Sequence, residues 1–397
     1  MTLGWLILPL MGWGGLAGGG GPKPQEHDCI SFAERLSVQT QIAKYHAENG
    51  YQPGPESIAR YSFYPQAGIL WQDVFVNNFV DQDPSSGIRD YDCTDFTYDG
   101  HRGHDSDILG FDEQSIGVPV VAALFGTVVA RQDGQPDRNT GWSNPNANYV
   151  VLYHGGTHYT YYWHLRNGSV SVQVGDVIRA GQQIGFTASS GSSTYPHLHF
   201  ESWNNNSWFE PSAGNCGPLE SNWVEQTPIR RSGYVRDWNL TDTLINTLPG
   251  IPFEIPRKGT FDQGLRRINF WLVAHNYGPS IPWRVRLFRP DGTPVFDSQI
   301  QNISLPSQYR WQWWYWDYTF NFNVAGRWTL EHTFADQVVR APITIVPAGA
   351  PKPNRPPLRP FFEFKSTPRA DEPVIAQLRN PRLIDDYDFD VVRYRYT

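Results

Sequence analysis

HLHFESW, residues His197 to Trp203, has the two-residue alternation of a β-strand. His197 and His199 therefore point to one side, about two strand rises of ~3.3 Å apart, and Glu201 continues the same face. One imidazole of such a pair can hold a metal while the other reaches a substrate or a water. A His-x-His pair alone says little, because histidines on strands are commonly incidental. Its weight comes from a second cluster about a hundred residues upstream, DGHRGHDSD (Asp99 to Asp107), which contains His101-x-Gly103-x-Asp105. Hydrolytic zinc sites need three protein ligands and one open position, and histidine with carboxylate is a common set.

The segments between these clusters read as strand, turn, strand. VPVVAALFGTVVA (Val118 to Ala130) is rich in β-branched residues punctuated by Gly126, NYVVLYHGG (Asn148 to Gly156) ends in a turn, and HYTYYWHL (His158 to Leu165) alternates aromatic and polar positions. VQVGDVIRAGQQIGFT (Val172 to Thr187) adds turns at Gly175 and Gly181. Antiparallel hairpins and a single β unit over Asp92 to Pro211 are the expectation. Composition agrees: 36 Gly, 32 Pro, 16 Trp, 20 Tyr and 22 Phe favour strands and turns over long helices. The expected class is all-β.

This ordered series of motifs resembles the lysostaphin-type zinc endopeptidases, whose catalytic domain carries H-x-G-x-D, G-x-P-V-x-A, Y-x-H-L, G-D-x-V-x-x-G-Q and H-L-H-F. Here the matches are His101 to Asp105, Gly117 to Ala122, Tyr162 to Leu165, Gly175 to Gln182 and His197 to Phe200, in that order. The resemblance covers about a third of the chain. It implies an antiparallel sheet of the duplicated hybrid motif type, one zinc ion held by His101, Asp105 and His199, and two further active-site histidines, His164 and His197. The implied substrate is the peptide that crosslinks bacterial peptidoglycan. The competing expectation is a catalytically silent relative that binds the wall or activates a partner. One departure is that Ser106 and Asp107 follow Asp105 where the family places an apolar residue. Asp107 and His104 are thus rival ligands, although the spacing about Gly103 favours His101 with Asp105. Glu201 is either a group orienting an imidazole or a solvated residue, and His154 is expected to hold local structure or a substrate edge.

At 397 residues the chain exceeds one typical domain. Residues 1–25 read as a leader, with an apolar run from Leu3 to Ala17 followed by GGGGPKP, which resembles a secretory signal without its basic start. Residues 26–90 read as an N-terminal extension or pro-segment, 91–225 as the peptidase domain, 226–347 as an Ig-like β-sandwich, and 348–397 as a Pro-rich linker with an incomplete module. The aromatic run Tyr309 to Phe322 fits a sandwich core better than a sugar-binding surface, and the acidic fragment DDYDFD near the C-terminus fits a Ca²⁺-binding strand weakly. A net charge of -7 without basic runs argues against nucleic acid. No later stretch approaches the ~18 apolar residues of a membrane span. Export to the periplasm, cell surface or medium is the expectation. Of Cys29, Cys93 and Cys216, two can pair and one is left over.

Overall fold

The computed structural model of the protein describes residues 10–12, 29–51, 60–142, 146–245, 254–351, 361–364 and 376–379. It divides into two units. Strand β1 (Leu10–Gly12) belongs to the second, and the rest of the expected leader lies outside the described residues.

The first unit opens with helix α1 (Phe32–Asn49), capped by Ser31, whose hydroxyl accepts from the Glu34 amide, and stopped by Gly50 at φ +72°. Its strands are β2 (Phe75–Asn78), β3 (His104–Asp107), β4 (Pro119–Val121), β5 (Gly126–Gln132), β6 (Tyr149–Tyr153), β7 (Tyr159–Trp163), β8 (Val177–Ile178), β9 (Gln183–Phe186), β10 (His197–Asn204) and β11 (Ser207–Phe209). A one-and-a-half-turn helix, α2 (Phe111–Ile116), separates β3 from β4. The main sheet runs β2-β3-β10-β7-β6-β5-β8 with β11 beside β10, antiparallel throughout. Strands β4 and β9 make a separate ladder. The all-β expectation is met, with two exceptions. The 18-residue α1 stands where no long helix was expected, and β2 makes the sheet begin before residue 91, so the stretch assigned to an extension supplies an edge strand.

Alternation gives this sheet two unlike faces. Val128, Val150, Leu152, Ile178, Leu198 and Phe200 pack into an aliphatic core on one side. The other side carries Tyr149, Tyr153, Tyr159, Tyr161, Trp163 and Trp203, and α1 lies across it through Val38 with Cys29 and Ile30 just before it. A disulfide between Cys93 and Cys216 closes a sequence separation of 123 residues and leaves Cys29 as a buried cysteine outside any disulfide.

The second unit contains β12 (Tyr234–Thr241), β13 (Thr260–Asp262), β14 (Gly264–Tyr277), β15 (Ser280–Phe288), β16 (Pro294–Asp297), β17 (Gln301–Ser304), β18 (Tyr309–Phe322), β19 (Gly326–Phe334) and β20 (Gln337–Val346). One sheet has the order β1-β18-β14-β12; the other runs β13-β20-β19-β15-β16, with β17 on β15. Both contribute to one core, so this is a two-layer β-sandwich. The aromatic run is buried on both faces of β18: Trp314, Trp316, Tyr318 and Phe320 enter the shared core, while Trp311 and Trp313 join Trp271 and Ile245 on the other side. Beyond it, Phe361–Phe364 pairs with Ala376–Arg379, and the acidic DDYDFD fragment lies outside the described residues.

Candidate metal centre and its surroundings

Strand β10 carries the site because its register against β3 sets His199 directly opposite Asp105, and against β7 opposite Trp163. His101 arrives from the loop before β3. Gly103 is what lets that loop pass: a Cβ there would stand 2.4 Å from the Phe200 carbonyl oxygen and 3.0 Å from the His199 ring. Three atoms converge. His101 Nε2 lies 3.2 Å from His199 Nδ1 and 3.1 Å from Asp105 Oδ1, and His199 Nδ1 lies 2.7 Å from the same Oδ1.

Hydrogen bonds decide which ring atoms carry protons. His101 Nδ1 donates to the Phe79 carbonyl at 2.8 Å, leaving the Nε2 lone pair facing inward. His199 Nε2 donates to Glu201 Oε1 at 2.9 Å and Nδ1 faces inward on Asp105. Burial alone would lower the His199 pKa, but Cys29, Asp105 and Glu201 raise it well above the ordinary imidazole value, so Nδ1 carries a proton that a metal would displace. Asp105 is steadied by Asn78, whose amide donates to Oδ2 at 2.9 Å. Burial alone would raise the Asp105 pKa, but the facing His101 and His199 hold it well below the carboxylate range. Two imidazole nitrogens and a carboxylate oxygen within hydrogen-bond distance of one another, in a buried site, are the arrangement that a cation, proton or metal, relieves. Zinc takes imidazole nitrogen and carboxylate oxygen at ~2.0–2.2 Å. Tetrahedral angles then put two nitrogens ~3.3 Å apart, close to the separation found here, so the residues present fit the metal.

His164 and His197 line the same spot, their rings 4.6 Å apart. Continued alternation from β7 would send His164 to the aliphatic face, but it sits at φ +63° and turns back towards β10. Such a conformation costs a non-glycine residue about 1 kcal/mol or more. Each ring is oriented by a backbone carbonyl: His164 Nδ1 donates to Ser190 at 2.6 Å and His197 Nδ1 to Tyr195 at 2.9 Å. Nε2 of His164 is buried without a partner, and Nε2 of His197 stands 3.8 Å from Asp105 Oδ1. Burial pushes both pKa values down, so both rings are neutral bases near pH 7.

The structure thus brings together all five candidate residues, His101, Asp105, His199, His164 and His197. It separates the rivals. His104 faces the opposite side of β3 and bonds Glu210 Oε1 at 2.8 Å, while Asp107, opposite His197, is held by Asn77. His154 is structural as expected, with Nδ1 on the Phe125 carbonyl, Nε2 on Thr160 and a pKa pushed down to about 4 by burial. Glu201 is not solvated. It is fully buried and accepts from His199, from both terminal nitrogens of Arg35 at 2.8 and 3.1 Å, and from the Trp203 indole at 2.6 Å. Arg35 escaped the sequence reading because nothing local ties a helix residue to a strand 166 positions away. A cleft of about 740 Å³ opens beside His101, lined also by Asp81, Asp83, Arg102 and Trp208.

Residues 107–211 match Peptidase family M23, whose members are zinc metallopeptidases. Lysostaphin of Staphylococcus simulans is 38% identical over 89 residues, which is 22% of this chain and 16% of that protein. The glycyl-glycine endopeptidase ALE-1 of Staphylococcus capitis is 35% identical over 103 residues, covering 24% of this chain and 25% of its own length. The peptidoglycan DD-endopeptidase ShyA of Vibrio cholerae is 38% identical over 86 residues, 22% of this chain and 17% of its own. The chain therefore spans a quarter or less of the length of these relatives, and the family match begins at residue 107, just after His101 and Asp105. Over residues 107–211, then, this chain matches Peptidase family M23 and is similar to the lysostaphin-type peptidases.

Proposed function

We propose that the protein is an exported zinc endopeptidase that hydrolyses peptide crosslinks of bacterial peptidoglycan. His101, Asp105 and His199 are the metal ligands in this reading, and His164 and His197 move the protons. The observation that carries it is the convergence of two imidazole nitrogens and a carboxylate oxygen beside two neutral imidazoles whose Nε2 atoms are left for chemistry. Bound zinc would supply Lewis acidity towards the scissile carbonyl and would acidify a water. His197 Nε2 is placed to take the proton from that water, since its Nδ1 is already committed to Tyr195. The proton taken by His197 can then go to the departing amine, while His164 Nε2, a buried lone pair with Nδ1 committed to Ser190, would donate to the oxygen that gains charge only after taking up a proton itself. All five positions being filled weighs against a silent wall-binding relative. The matched relatives named as glycyl-glycine and peptidoglycan endopeptidases support the substrate class.

Residues 91–225, enlarged by β2, are read as the catalytic domain, and 226–347 as an accessory domain. Export is supported by the Cys93–Cys216 disulfide, which persists in oxidising compartments. No described helix is long and apolar enough to cross a membrane.

The test measures zinc content and amine release from purified peptidoglycan for the intact protein, His199→Ala, His164→Ala and His197→Ala. The reading expects zinc to be lost only in His199→Ala and hydrolysis to be lost in all three. An intact protein that takes up no zinc yet binds wall material would replace the enzyme with a binding module.

A further inference from the structure

The face of the sheet that holds the metal centre is covered by the protein's own N-terminal segment. The five site residues are between 0 and 6% exposed, so a peptide cannot reach them while that cover is in place. The first described residue of the segment, Cys29, puts its sulfur 3.6 Å from His199 Nδ1, the same nitrogen that faces Asp105 and His101. With bonds of about 2.3 Å to thiolate sulfur and 2.0–2.1 Å to imidazole nitrogen, tetrahedral angles leave about 3.6 Å between the two ligand atoms. The three-atom cluster does not include the sulfur, so ligation requires a small inward rotation of the Cys29 side chain. A second observation points the same way: His164 Nε2, fully buried and without a partner, is aimed into the space beside the cluster. The space next to the three ligands thus holds a buried polar atom that the triad does not satisfy.

The cover is attached in a manner suited to release. Helix α1 buries only Val38 fully against the sheet, with Ile42 and Tyr45 half-buried beside it, while Phe32 and Leu36 point outward. Its remaining attachments are polar: Glu34 to the Ala147 amide, Arg35 to Glu201, Gln41 to the Tyr149 hydroxyl and His46 to the Tyr159 hydroxyl. What it covers is also unlike an ordinary core. Tyrosine and tryptophan dominate under α1, whereas the opposite face is aliphatic. Such amphipathic rings tolerate water and suit a binding floor.

We infer that the Cys29–Asn49 segment is an internal lid over the substrate face and that the Cys29 thiolate closes it as a fourth protein ligand to the metal. The inference rests on the zinc-peptidase reading above. As the sulfur–metal bond forms, the thiol proton leaves to solvent and the position a water would occupy is filled.

Two measurements on the full chain test this without requiring hydrolysis. The first replaces zinc with cobalt(II) and looks for the near-ultraviolet charge-transfer band of a thiolate–cobalt bond. Cys29 is the one cysteine outside the disulfide, so the band is assignable. It is expected in the wild type and absent from Cys29→Ser and Cys29→Ala, each still binding one cobalt. A stoichiometrically loaded wild type without the band overturns the inference, as does a band that survives in the variants. The second follows amide hydrogen exchange in α1. Zinc should slow it about tenfold in the wild type, the change expected when a bond holds a lid that is otherwise open a few per cent of the time. Equal slowing in Cys29→Ala means the sulfur is not the lock. The peptidase reading can fail on its own assay while both results stand, so the two failures are distinguishable.

Discussion

Glu201→Gln separates a carboxylate that merely fills space from one that sets the metal centre. The carboxylate accepts four bonds: His199 Nε2 and Arg35 Nη2 on Oε1, and Arg35 Nη1 and the Trp203 indole on Oε2. A glutamine has the same shape but only one acceptor atom, so its NH₂ must confront donors whichever way it is placed. If the oxygen stays on the His199 side, the NH₂ meets Arg35 Nη1 and the Trp203 N–H. If it flips, His199 Nε2 loses its acceptor, the proton that a neutral imidazole keeps moves to Nδ1, and the nitrogen facing Asp105 is no longer open to a metal. Either way a buried guanidinium is left without its counter-charge, at a cost of about 3–5 kcal/mol in folding stability. Partners that orient a ligating histidine are worth about 10–100-fold in metal affinity, or roughly 1.4–2.7 kcal/mol. The assay is competition for zinc against a chromophoric chelator, with urea unfolding of the zinc-loaded and zinc-free proteins alongside. Arg35→Met serves as the comparison: it should lower stability by a similar amount but zinc affinity by less, because His199 keeps its acceptor. If Glu201→Gln holds zinc within about twofold of the wild type, the argument that Glu201 selects the His199 tautomer is wrong.

Gly103→Ala should cost about 1–3 kcal/mol of stability and more than tenfold in zinc affinity, because its Cβ would overlap a backbone carbonyl that cannot give and press on the His199 ring; calorimetry and the same chelator competition check both. Replacing Cys93 and Cys216 together by serine should lower stability by up to about 5 kcal/mol on the loop-entropy account, seen as a fall in the urea midpoint. In the sandwich, His332 is buried between Phe270 and Trp316, and burial pushes its pKa down to about 3. The unfolded chain, with an imidazole pKa near ~6.5, binds the extra proton throughout the window between those values, so stability falls as pH drops through 6.5 and about 2 kcal/mol is lost at pH 5. His332→Phe should flatten that part of the pH profile in tryptophan-monitored unfolding, and an unchanged slope between pH 7 and 5 would assign it elsewhere.

What could be read from the residues, and what could not, divides along the range of the interactions. The alternation of β10 needs no partner to be recognised, so the shared face of His197, His199 and Glu201 was visible in seven letters. Gly103 was legible only as the spacing that favours His101 with Asp105; that it lets the loop pass the Phe200 carbonyl needed the structure. The turn that brings His164 back to that face was not visible, because a histidine at φ +63° carries no local signature. Nor was α1, and the reason is physical: its apolar stripe is only Val38, Ile42 and Tyr45, and its other contacts with the sheet run through Glu34, Arg35, Gln41 and His46, so the periodic signal by which buried helices are recognised is weak. The covered face held a usable sign all the same. Strands β6 and β7 place Tyr149, Tyr153, Tyr159, Tyr161 and Trp163 on one side and Val150, Leu152 and Tyr162 on the other. Between two buried faces of one sheet, the side given hydroxyl-bearing rings is the one built to meet something polar. Here the sheet meets α1 on that side, and the histidines of the candidate metal centre look out from it.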